Sequence, residues 1–134
     1  MLIHVTFPGG RRVDAHFDGY VVHTDQVPTA GGAGTAPAPF DLYLASLAAC
    51  AGFYALAFCQ ARGIATDGLS VVQEVDIDPV THLPARVAVR VTPPVGFPEK
   101  YRPALQRAVE GCKVKKSIAA APAFEVRLEE PVLA

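Results

Sequence analysis

The sequence predicts an α+β fold in which antiparallel sheets surround one long, buried central helix. Three features lead to this reading. Short alternating runs bounded by turn signals open the chain, a long uncharged stretch follows, and a second pair of strand-like runs comes after it. The 134 residues fit a single domain spanning 1–134, large enough to bury its own core without disulfides.

Leu2 to Phe7 is apolar and β-branched, and Pro8-Gly9-Gly10 ends it with a turn signal. From Arg11 to Phe17 the pattern alternates, with Val13, Ala15 and Phe17 on one face and Arg12, Asp14 and His16 on the other. Asp18-Gly19 reads as a tight hairpin turn leading into a third strand, Tyr20 to Thr24. Asp25 to Pro39 is a long loop rich in Gly, Pro and Ala, a type that is often functional or mobile.

Phe40 to Arg62 is the strongest helical stretch. Pro39 stands where a first-turn proline is tolerated, Asp41 complements the helix dipole, and Gly63 stops the run. No charge lies between Asp41 and Arg62, so the segment is long and apolar enough to span a membrane. Its richness in alanine and the strands on either side favour a buried helix instead. One short chain can hardly cover such a helix on every side. The small residues Ala45, Ala48, Ala49, Gly52 and Ala55 would admit a second helix closely, and an intertwined homodimer is expected.

Leu69 to Ile77 and Ala85 to Val91 form the second strand pair. Tyr101 to Gly111 and Lys113 to Ala121 follow as helices, and Phe124 to Leu128 is expected to be a last strand. The net charge of −1 and the absence of any basic run beyond Lys113-Val-Lys-Lys116 argue against nucleic acid as a partner. The start MLIHVTFPGG lacks the pattern of an export signal, and three cysteines then suggest reactive or buried thiols in the cytoplasm.

The cysteines are the candidate chemistry. Cys50 lies mid-helix among small apolar residues, where a cysteine is commonly packing. Cys59 is nine residues on, about 900° around the helix, so it faces the opposite side and cannot pair with Cys50. Cys112 precedes KVKKSIAA, at the expected start of a helix and beside three lysines, both of which favour a thiolate. On these grounds alone Cys112 is the more activated thiol. Ser46, one turn before Cys50, is within reach of a hydrogen bond near the thiol, though a packed helix serine is the commoner case. His4, His16, His23 and His82 have no metal-ligand spacing, although His16 and His23 can meet across the hairpin. No cofactor is expected: TAGGAGTAPAP lacks the Gly-Lys-Ser/Thr ending of a phosphate-binding loop.

PAPFDLYLASLAACAGFYALAFCQARGI, followed by CKVKKSI, resembles the OsmC/Ohr superfamily, and DAHFDGYVVHTDQ, the Gly-rich loop and FPEKYRPAL resemble its OsmC-like branch. The resemblance covers nearly the whole chain. It implies the OsmC-like fold and a thiol-dependent reduction of organic hydroperoxides by a dimer whose sites draw on both subunits. Cys50 matches the peroxide-attacking cysteine and Cys112 the resolving one, which reverses the ranking above. It further implies an arginine from the N-terminal strands, either Arg11 or Arg12, held by an acidic residue at the helix start, where Asp41 stands. An external dithiol would complete the cycle. A non-catalytic dimer holding a small hydrophobic ligand and a redox sensor remain the alternatives.

Overall fold

The computed structural model describes residues 1–132. It divides into two compact units, one formed by Met1–Ala49 with Val71–Val91, the other by Cys50–Ser70 with the residues from Thr92 onward.

In the first unit β1 (His4–Gly9), β2 (Arg12–Phe17) and β3 (Tyr20–Thr24) form an antiparallel sheet in sequence order. β1 is an edge strand, and its register shifts between Thr6 and Gly9, where Pro8 has no N–H to give a ladder. Asp18 and Gly19 both take positive φ, 48° and 81°, the backbone of the two-residue turn that matches strand twist. Phe17 therefore pairs with Tyr20, and Val13 through to Thr24 closes the ladder. β4 (Ser70–Ile77) and β5 (Pro84–Thr92) make a second, two-stranded sheet. The Gln73 side chain of β4 donates to the carbonyl of Leu44 at 2.9 Å.

The central helix, α1 (Pro39–Gln60), begins where the sequence requires: Pro39 is its first residue and the Asp41 carboxylate accepts the Ala38 N–H at 3.2 Å. At its other end Ile64 N–H bonds Cys59 O, Gly63 N–H bonds Gln60 O, and Gly63 takes φ 63°, which closes the last turn. Arg62 then folds back, its guanidinium 3.7 Å from the centre of the Phe58 ring. Phe58 also packs on Phe97 and Tyr101, at ring distances of 6.3 and 6.2 Å.

Leu47, Ala51, Ala55, Phe58 and Cys59 bury one side of α1. Ala45, Ala49, Phe53 and Leu56 stay exposed at helical spacing, and only 28% of the most apolar stretch is covered within the chain. The second unit continues with α2 (Arg102–Glu110), which buries Leu105, and α3 (Lys113–Ala119).

The expected last strand does not form. Phe124 to Leu128 has no strand pairing, and Phe124, Val126 and Leu128 are almost fully exposed. The residues alternate as a strand should, but a strand is stable only on a partner edge, and among the described residues none is supplied to it.

Candidate active site

Cys50 and Cys112 come together in the second unit. Cys112 is the residue preceding α3; its carbonyl accepts the first helical bond, from Lys116 N–H at 3.0 Å, while its side chain is buried. The N–H groups of Lys113 and Val114 are first-turn donors with no partner inside the helix. They stand beside Cys50 and lower its pKa. The Val114 amide, the Cys112 thiol, the Lys113 amide and the Lys113 charge together hold the half-buried Cys50 thiol below its ordinary pKa, against an opposing effect of burial. The helix start and lysine read from the sequence as activating Cys112 therefore act on its neighbour.

Cys59 is fully buried and burial pushes its thiol up, which separates it from this pair. Ser46 bonds back to the Tyr43 carbonyl at 2.6 Å, so it serves the helix backbone. His16 and His23 do not meet: Thr6 bonds His16 at 2.9 Å, and Asp14 bonds His23 at 2.8 Å across β2 and β3. Among the described residues no cluster of three or more His, Cys, Asp or Glu side chains is placed to hold a metal ion.

Arg11, Arg12 and Asp41 lie in the first unit. Arg12 donates to the Pro8 carbonyl at 3.2 Å. Arg11 lies over Gly31, where a Cβ would stand 3.4 Å from its Nε. Asp41 caps α1 and, among the described residues, forms no ion pair with either arginine.

The residue that sequence reasoning missed here is Asp25, which is 1% exposed. Its carboxylate accepts the N–H groups of Gln26, Ala33 and Thr35 and the Thr35 hydroxyl, at 2.7–3.3 Å. These bonds, those from Thr35 foremost, hold its pKa down at about 2. The long Gly-rich loop is thus wrapped around one buried carboxylate. An aspartate directly after a strand and before repeated glycines was the available signal.

Residues 32–127 match the model of the OsmC-like protein family. The chain belongs to that family. Three solved structures share the fold of this OsmC-like protein. One, from Psychrobacter arcticus and assigned to osmotic stress and detoxification, is 23% identical, with 86% of this chain and 85% of that one aligned at a TM-score of 0.72. An organic hydroperoxide resistance protein from Legionella pneumophila is 23% identical over 88% and 89% of the chains, with a TM-score of 0.58. Another protein assigned to organic hydroperoxide resistance, from Vibrio cholerae and with captopril bound in one of its active sites, is 21% identical over 90% and 86%, with a TM-score of 0.56. No curated protein matches the chain.

Proposed function

We propose that this OsmC-like protein reduces organic hydroperoxides in the cytoplasm through a dithiol–disulfide cycle of Cys50 and Cys112. The observation that carries the reading is the placement of Cys112 and the start of α3 beside the half-buried Cys50, whose pKa those amides and the Cys112 thiol lower. The Cys50 thiolate attacks the O–O bond, taking one oxygen as sulfenic acid and releasing the alcohol. The Cys112 thiol then condenses with the sulfenic acid, forming the disulfide and releasing water. An external dithiol reduces that disulfide by exchange and is itself oxidised. Both electrons come from the protein's thiols, so the cycle requires no further cofactor.

The organic hydroperoxide resistance named for the Legionella and Vibrio relatives supports the same substrate class. The exposed apolar stripe of α1 supports a homodimer formed along that helix. No nucleic acid or membrane enters this reading.

The test is one equivalent of cumene hydroperoxide added to the reduced protein, with peroxide consumption followed and disulfides mapped by peptide mass. Consumption with a Cys50–Cys112 link is expected. Intact thiols and unconsumed peroxide would overturn the reading. Cys59→Ala is expected to leave the reaction unchanged.

A further inference from the structure

Cys50 and Cys112 are two sulfurs brought together where no other metal-ligating side chain joins them. Cys50 is half-buried and Cys112 is 3% exposed, so the pair is largely shielded from water. Ala51, next to the first, is buried, and Val114, two residues after the second, is half-buried. Among the described residues no third His, Cys, Asp or Glu completes a metal-binding group. Cys59 lies nine residues along α1 from Cys50, about half a turn out of phase, and is buried apart from the pair. The local charge is positive. Lys113 acts on Cys50, and Lys115 and Lys116 are exposed on the same short helix. None of these lysines pairs with a carboxylate among the described residues.

We propose that the reduced pair binds one Cu(I) ion as a two-coordinate dithiolate. Thiolates are soft ligands, and among metal ions they select Cu(I) and Zn(II). Ligand number decides between those two. Zn(II) is tetrahedral and takes at least three ligands from the protein, whereas this site offers two. A closed-shell monovalent ion is satisfied by two sulfurs in line. Charge points the same way. One Cu(I) and two thiolates leave a net −1, which neighbouring lysines stabilise, while Zn(II) with two thiolates is neutral and gains nothing from them. Space is no obstacle, because a metal–sulfur bond is only ~2.3 Å long and two neighbouring sulfurs part little to admit an ion between them. Binding is ligand exchange without electron transfer. Two copper–sulfur bonds form, each thiol releases its proton to water, and the copper stays Cu(I). The same two sulfurs serve the peroxide reaction proposed above, but metal binding does not depend on that reaction.

The test titrates the reduced full chain, without air, against the coloured Cu(I) complex of bicinchoninate. The protein is expected to withdraw one Cu(I) per chain. Cys50→Ser and Cys112→Ser should each weaken binding by more than the ~10–100-fold that loss of a supporting hydrogen bond costs a metal site. Cys59→Ala should bind as the parent does, and excess Zn(II) should not displace the copper. X-ray absorption on the loaded parent, which needs no substitution, should show two sulfur neighbours and no nitrogen. Copper left with bicinchoninate would overturn the proposal, as would binding that survives Cys112→Ser or a coordination shell containing nitrogen. A protein that binds Cu(I) yet leaves cumene hydroperoxide unconsumed would overturn the peroxide reaction and uphold the metal site. One that consumes peroxide and takes no Cu(I) would do the reverse.

Discussion

The backbone N–H of Val114, at the start of α3, stands beside Cys50 and helps to hold its thiol below the ordinary pKa. The residue preceding this seven-residue helix, Cys112, lowers the same pKa through its thiol. One helix terminus thus brings the two sulfurs together and biases Cys50 toward its thiolate.

That coupling separates two roles of Cys112. Because the Cys50 pKa is lowered, its alkylation by iodoacetamide should plateau at lower pH than that of a free cysteine and fall off as pH drops through the lowered value. Cys112→Ala removes the donor, so the pH profile should move upward and no disulfide should form. Cys112→Ser keeps an O–H donor, so the profile should stay near that of the parent while disulfide formation is still lost. Rates read at Cys50 by peptide mass check this, and an alanine profile superimposed on the parent's would sink it.

The fold was legible wherever a local signal decides the backbone. Asp18-Gly19 announced its turn, and Pro39, Asp41 and Gly63 bounded α1 within a few residues because caps act locally. The pairing of Cys50 with Cys112 was not legible from the residues alone. Sixty-two positions separate them, and the helix-start amides that favour Cys50 belong to Lys113 and Val114, brought in by tertiary packing. Asp25 was hidden for a related reason, since its donors are backbone N–H groups eight and ten residues ahead, which leave no side-chain motif. Phe124 to Leu128 shows the converse: the pattern is correct, but a strand needs a partner that a local pattern cannot supply.

Asp25 makes the Gly-rich loop acid-sensitive. Its folded pKa is lowered from 3.8 to about 2, so its contribution to stability is complete above about pH 4. That contribution is lost as pH falls from about 4 to about 2, when the carboxylate protonates and can no longer accept from every donor around it. Asp25→Ala should lower the Tm at pH 7 by roughly 5 °C or more, leaving the Thr35 and Ala33 amides without their acceptor. Thermal melts at pH 7 and pH 3 check it. The gap between parent and variant should shrink at the lower pH, and an equal gap at both would count against the carboxylate's role.

Gly32 tests whether that loop has any room. A Cβ at this position would fall 1.9 Å from the Gln26 carbonyl oxygen and 2.4 Å from its carbon, both backbone atoms that cannot step aside. Gly32→Ala should therefore destabilise the protein by about 2 kcal/mol or more, as overpacking does elsewhere. Gly52→Ala is the contrast within the single chain, because a Cβ there meets nothing within 4 Å and alanine is the better helix former. Chemical denaturation of Gly32→Ala reads the cost directly, and a midpoint unchanged from the parent would show that the loop can re-form around the methyl group.

The apolar stripe of α1 yields the prediction about assembly. Ala45, Ala49, Phe53 and Leu56 lie one helical turn apart along an exposed face, too apolar to be left in water over that length without a partner. If a second copy covers it, Ala49→Arg places a charge and a long side chain where two helices approach. Sedimentation velocity should then show a dimer for the parent and a monomer for the variant. The helical signal in circular dichroism should be retained, because arginine is itself a good helix former. A parent that sediments as a monomer, or a variant that stays dimeric, would rule out α1 as the contact and leave the stripe to another partner.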